Sequence, residues 1–262
     1  MTTWHRVRAG AIILLVFATM WMVFRNGRQA MASGPYNPLS LTLAQRGPVR
    51  PTSFSGSPVA QVSNFLSADP SGWVDIMPRD SFQGWTRVAI PPDKPLDPVS
   101  QWKLPKDSAT ILCEGDHGHE WLRYDHELTN FLLHVEWRFE KHEGLKGYNS
   151  GVFVRNDLDG RVWHQAQVGT LAFIFGQTLW HGELSPAIDE MWKNPSPEVN
   201  PLHPIGEWNT YEIRCDGPKI TLWVNDILTG QFGAPEVPKG YCGLEAEGYR
   251  IEFRNIRLKS LP

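Results

Sequence analysis

The sequence predicts an all-β sandwich, and three observations carry that prediction. The first is the strict alternation from Asn130 to Glu140. Phe131, Leu133, Val135, Trp137 and Phe139 fall on one side, and Leu132, His134, Glu136, Arg138 and Glu140 on the other. Period 2 sustained over this length describes a strand with one buried and one polar face. The second is a hairpin signal, Asp216-Gly217 between Tyr211 to Arg214 and Lys219 to Val224. The third is negative. No long stretch repeats with helical period, and only Pro186 to Lys193 suits one or two helical turns.

The remaining strand candidates are Thr110 to Glu114, Trp121 to Tyr124, Gly151 to Arg155, Val162 to Val168, Ile227 to Phe232, Tyr241 to Glu247 and Arg250 to Lys259. Short strands separated by Gly, Asn and Asp turns indicate a sandwich or jelly roll. Residues 173–204 break the rhythm. They carry Trp180, His181, Trp192 and five prolines without alternation, and are expected to form a long loop over one mouth of the sandwich.

The termini differ sharply in composition. Ala9 to Phe24 is an uncharged apolar run of 16 residues preceded by Arg6 and Arg8. As a helix it would reach about 24 Å, short of a hydrocarbon core of about 30 Å. Ala30-Met31-Ala32 offers a cleavage site, while Arg25 and Arg28 flank the run as they would a retained anchor. Residues 1–32 are therefore expected to be a signal peptide or an N-terminal membrane anchor. Either implies export to a periplasmic or extracellular face. Residues 33–72 have a Pro/Ser/Gly linker composition, and 73–262 are expected to hold the folded domain.

Composition narrows function. The formal charge is −3 and no Lys/Arg block occurs, which removes the footprint of a nucleic-acid binder. Twelve Trp and twelve Phe suit an aromatic core and equally suit stacking on sugars. Cys113, Cys215 and Cys242 contain no C-x-x-C spacing, so one disulfide with a spare thiol and three buried thiols both stay open. G-x-S-x-G, a phosphate loop, H-E-x-x-H and the E-[LIV]-D-x-x-E strand of sandwich endoglucanases are all missing.

Period 2 also sorts polar residues by face. His134, Glu136 and Arg138 oppose the apolar side of their strand. Trp163, Gln165 and Gln167 oppose His164, Ala166 and Val168, while Gly243, Glu245 and Glu247 oppose Cys242, Leu244 and Ala246. Arg155 falls with Gly151 and Phe153. Were these strands neighbours, Glu136, Arg138, Arg155, Gln165, Gln167, Glu245 and Glu247 would share one concave face beside Trp163. Such a mixture can bind hydroxyls and move protons. The competing reading is a solvated sheet face carrying cross-strand ion pairs. Asp116-His117-Gly118-His119-Glu120 looks like a metal cluster, but spacing fixes no third ligand, so no metal ligand is assigned.

The order Asn130-Phe131, Glu136-Trp137-Arg138, Asn149-Ser150-Gly151-Val152-Phe153-Val154-Arg155, Gln165-Ala166-Gln167-Val168, Trp208-Asn209, Gly243-Leu244-Glu245 and Glu252-Phe253-Arg254-Asn255-Ile256 resembles the domain of unknown function 1080. That family is described as 3-keto-disaccharide hydrolase, or 3-keto-glucoside 1,2-lyase/hydratase. The resemblance spans about residues 72–260 and implies a concanavalin A-like jelly roll acting on glycosides oxidised at C3. The ketone acidifies the C2 hydrogen, so a base can remove it, the C1 substituent leaves, and water adds back.

The resemblance implies that Glu136 is the first candidate for base or metal ligand, with Glu245 and Glu247 also catalytic. Arg138 and Arg155 would stabilise the enolate or orient hydroxyls. Asn149, Gln165 and Gln167 would hold the sugar, and Trp163 and Trp180 would stack on it. A divalent metal is left open as cofactor. The chain departs from the family twice. The family commonly reads Glu-x-Gln where this chain has Gln165-Ala166-Gln167, and Gln-x-His-Gly where it has Glu245-Ala246-Glu247-Gly248. An amide at 165 cannot act as a base, so either Glu245 or Glu247 takes over from the adjacent strand, or a non-catalytic glycan-binding module remains.

Overall fold

The computed structural model describes residues 64–106, 109–169, 200–233, 235 and 237–262, and the backbone of 174–180 and 183–184. The expected export segment, 1–32, and the helical turns expected at 186–193 lie outside these residues. No helix among the described residues is long and apolar enough to cross a membrane.

Two antiparallel sheets face each other. The eight-stranded sheet runs β13 (Ile227–Gly233), β12 (Lys219–Val224), β11 (Asn209–Asp216), β6 (Phe131–Phe139), β15 (Ile251–Ser260), β4 (Thr110–Cys113) and β3 (Trp102–Lys103), with β1 (Val74–Asp75) also on β15. The seven-stranded sheet runs β10 (Glu183–Leu184), β9 (Ile174–Trp180), β8 (Val162–Gly169), β7 (Asn149–Asn156), β14 (Tyr241–Ala246), β5 (Glu120–Tyr124) and β2 (Trp85–Ala89). Strands distant in sequence pair side by side, as in a jelly roll, and the all-β expectation holds.

The alternation in β6 does what it predicts. Phe131, Leu133, Val135, Trp137 and Phe139 are all buried. Val152 and Val154 of β7, Ala166 and Val168 of β8, and Leu244 and Ala246 of β14 are likewise buried, on the inner side of the other sheet. Each large apolar side chain in this layer contributes roughly 1.5–3 kcal/mol by leaving water. The Tyr211 hydroxyl crosses the layer and donates to the Gln167 carbonyl. Cys113, Cys215 and Cys242 are buried free thiols, which settles that alternative.

Two details differ from the sequence reading. Part of the expected loop at 173–204 is strand: β9 pairs with β8 from Val162↔Thr178 to Ala166↔Ile174, and β10 pairs with β9. Ladder bonds to a preformed neighbour supply order that weak alternation does not announce. The stretch read as linker also reaches the sandwich. Residues Phe65–Ala68 form a short helix, α1, capped by the Asn64 side chain. Its first amides, of Phe65 and Leu66, donate to the Glu212 carboxylate of β11. The Phe65 ring packs edge-on against Trp223 at 4.9 Å.

Candidate functional site

Strands β5, β14, β7 and β8 are consecutive neighbours in the seven-stranded sheet, so residues opposite one another on them share a face. The register sets Trp121 opposite Glu245, Phe153 opposite Gln165, and Gly151 opposite Gln167. Ala246 pairs with Glu120, which leaves His119 and Glu247 as the next residues beyond the paired ends. The face turned away from the core thus has an aromatic half and a polar half.

The polar half is one continuous chain of hydrogen bonds. His119 Nε2 lies 2.8 Å from Glu245 Oε1, and Gln165 Nε2 donates to Glu245 Oε2 at 2.8 Å. Gln165 Nε2 also reaches Gln167 Oε1 at 3.4 Å. Gln167 Nε2 donates to Asn149 Oδ1, and Asn149 Nδ2 donates to Glu247 Oε2. A glycine at 151 makes this approach feasible, because a Cβ there would lie 2.5 Å from Gln165 Nε2 and 2.6 Å from Glu245 Oε2. Glu245 is 3% exposed, whereas the His119 side chain at the rim is 37% exposed.

Electrostatics in this half are unbalanced. Burial, together with the negative charge of Glu245, pushes the Glu247 carboxyl up to about 8. Burial disfavours the charged His119 ring, but the hydrogen bond to Glu245 and the charges of Glu245 and Glu247 outweigh it and raise its pKa. One ligand atom from each of His119, Glu245 and Glu247 lies within 4.8 Å of the others, so among the described residues these three are the group able to hold a metal ion. The arrangement sets proton-exchanging groups beside amides for hydroxyls on one sheet face.

Glu245, Glu247, Asn149, Gln165 and Gln167 therefore meet as expected, and the other predicted residues do not join them. Glu136 and Arg138 project from β6 on the outer face of the opposite sheet. Glu136 accepts from Arg254 Nε at 2.7 Å and from Asn255 Nδ2 at 2.8 Å. Arg138 donates to Glu252 and stacks on Trp208, its guanidinium 4.6 Å from the ring. Alternation fixes the side of a strand but not which sheet the strand joins.

Arg155 is fully buried and is a structural staple. It donates to the carbonyls of Thr129 and Gly217 and to Asn130 Oδ1. Its φ of 50° breaks the period-2 rule and turns the side chain out of the Gly151–Phe153 row. Trp163 is only 9% exposed, packed with Trp121 and Phe153 against Val88, Ile90 and Tyr241, so it fills the aromatic half rather than offering a stacking surface. Trp180 ends β9, and its side chain is outside the described residues. Sequence reasoning missed His119 as a member of the site. Its neighbours diverge, since His117 faces Asp97 and Asp116, and Glu120 pairs with Arg87. The β5–β14 register, invisible in one sequence, is what brings His119 to Glu245.

The fold has solved counterparts. The carbohydrate binding module CBM66 from Bacillus subtilis superposes with a TM-score of 0.50 at 15% identity, covering 68% of this chain and 96% of that one. A putative glycosyl hydrolase from Parabacteroides distasonis gives 0.50 at 16% identity, covering 74% and 95%. At these identities the likeness is one of fold. No curated protein sequence matches the chain. The sequence model of one family spans residues 72–259, every strand of the polar half included, and the chain belongs to that family, the 3-keto-alpha-glucoside-1,2-lyase-like domains.

Proposed function

We propose that the hollow formed by His119, Asn149, Gln165, Gln167, Glu245 and Glu247 binds a glycoside oxidised at C3 and cleaves it by C2 deprotonation, elimination and hydration. The observation that carries this reading is the contact between Gln165 and Glu245. The amide at 165 removes a carboxylate that relatives commonly have, yet a carboxylate returns at 245 within hydrogen-bonding distance of the same point. The imidazole commonly found at 247 is likewise supplied from another strand end, at His119, beside Glu247. The acid/base inventory is redistributed across neighbouring strands rather than lost.

Roles follow from the chemistry. His119, Glu245 and Glu247 are the ionisable members of the site, so proton transfer and the enolate charge fall to them, directly or through a group that they hold. Gln167 and Asn149 complete the chain linking the two carboxylates and present amide groups to sugar hydroxyls.

The test is incubation of the full chain with 3-keto-trehalose and 3-keto-sucrose, followed by NMR. Release of the C1 alcohol with a 3-keto sugar supports the reading. Saturable glycan binding without product would favour a non-catalytic module, the reading that Gln165 alone suggests.

A further inference from the structure

The pocket carboxylates lack something their counterparts elsewhere possess. Glu114, Glu120, Glu136 and Glu252 each ion-pair with an arginine: Arg250, Arg87, Arg254 and Arg138 respectively. Among the described residues, no Lys or Arg comes within ion-pairing distance of Glu245 or Glu247, and His119 is the nearest cationic group. Two neighbouring carboxylates withdrawn from water require positive charge, from protons or from a cation.

Geometry favours the cation. The ligand atoms of all three side chains lie within 4.8 Å of one another, and His119 Nε2 and Glu245 Oε1 are already 2.8 Å apart. Metal–ligand bonds of about 2.0–2.2 Å would close this triangle through small side-chain rotations. Each carboxylate also has an outer support that aims it. Gln165 Nε2 holds Glu245 Oε2, and Asn149 Nδ2 holds Glu247 Oε2. Amides gripping the second oxygen of a ligating carboxylate are the supporting layer that metal sites use to orient their ligands. One imidazole with two carboxylates suits first-row divalent ions better than Ca²⁺, which takes oxygen alone.

We propose that His119 Nε2, Glu245 and Glu247 bind a first-row divalent cation, leaving coordination positions open toward the hollow for substrate and water. The catalytic part rests on the 3-keto-glycoside reading, whereas cation binding stands without it. A cation held there would polarise the C3 ketone and lower the pKa of a water beside it, so that this water could serve as the base for the C2 proton. Loss of that proton sends the C–H electrons into the enolate. They return to form the C1=C2 bond as the C1–O bond breaks, and the departing oxygen takes up the proton. Water finally adds, hydroxyl to C1 and hydrogen to C2, and the sum is hydrolysis.

Chelator-treated full chain is titrated calorimetrically with Zn²⁺, Mn²⁺ and Ca²⁺, and each variant is checked for folding by circular dichroism. One Zn²⁺ or Mn²⁺ per chain is expected, with weaker Ca²⁺ binding. His119→Ala and Glu247→Gln should each lower affinity more than about 100-fold. Asn149→Ala, which removes a support of Glu247 but no cation ligand, should lower it about tenfold. No uptake by the wild-type chain, or unchanged affinity in folded His119→Ala and Glu247→Gln, overturns the site. Full turnover of 3-keto-trehalose by chelated protein overturns the cation's catalytic role. Cation binding with no turnover of any 3-keto-disaccharide leaves the metal site standing and removes the reading it deepens.

Discussion

On the outer face of the eight-stranded sheet His134 lies between Glu212 and Glu136; on the seven-stranded sheet His119 lies beside Glu245 and Glu247. The residue types match and the electrostatics are opposite. Glu212 accepts from His134 Nδ1 at 3.0 Å and from the first amides of α1. Glu136, beside His134, accepts from Asn255 and Arg254. These partners, His134 foremost, pull the Glu136 carboxyl down to about 2. Glu247, with no arginine partner among the described residues, is pushed up to about 8 by burial and the charge of Glu245. A His–Glu–Glu group that is neutralised on all sides holds the fold together. One left short of positive charge is built to receive it.

The comparison breaks most visibly in turnover. Glu245→Gln or Glu247→Gln should lower the rate on 3-keto-trehalose by about 10²–10⁴-fold, with the melting curve little changed. Glu136→Gln should leave the rate unchanged and lower the melting temperature. Were Glu136→Gln to abolish turnover in a folded protein, the two clusters would have been assigned the wrong way round.

Next in size is the staple. Arg155→Met keeps volume but leaves the Thr129 and Gly217 carbonyls without their donors, which should cost about 3 kcal/mol in denaturant unfolding. The cost should appear as lost stability rather than lost rate per folded molecule. A loss confined to turnover would return Arg155 to the site.

Arg155 also marks where the sequence stops being legible. Period 2 sorted β6, β8 and β14 correctly, because in each one side is a row of apolar residues that only a core accepts. It placed Gln165, Gln167, Glu245 and Glu247 together for the same reason. It failed for Glu136, since strand order between sheets leaves no trace in local alternation. It failed at Arg155, where one left-handed residue resets the phase. His119 was visible as part of a His-rich turn, yet its partners depend on pairing between strands more than a hundred residues apart.

Acid sharpens the structural half of the comparison. A carboxyl whose folded pKa is depressed contributes stability above its unfolded value, and loses it as pH falls through the folded one. Glu136 should therefore contribute about 2 kcal/mol above pH 4.5, after allowance for partial exposure, and lose it between about pH 4.5 and 2. His134 has the opposite sign. Burial lowers its pKa, but Glu136 and Glu212 outweigh that and raise it overall. Its contribution is thus complete below the ordinary imidazole pKa and fades as pH rises through the folded one. Chemical unfolding of Glu136→Gln across this range should lack the acid limb, and an unchanged limb would remove Glu136 as its source.

The smallest effect probes the functional half. Gly151 has no left-handed φ, so Gly151→Ala strains no backbone, and its lower unfolded-state entropy offsets part of the crowding. Stability should move by less than about 1 kcal/mol. The new methyl nevertheless occupies the space where Gln165 Nε2 meets Glu245 Oε2. Both are ends of flexible side chains, so they give way, and Glu245 loses the amide that aims it. Turnover should fall about tenfold for a displacement well under 1 Å. Full activity in Gly151→Ala would mean that Glu245 needs no support from Gln165, and the hydrogen-bond chain would then be packing rather than machinery.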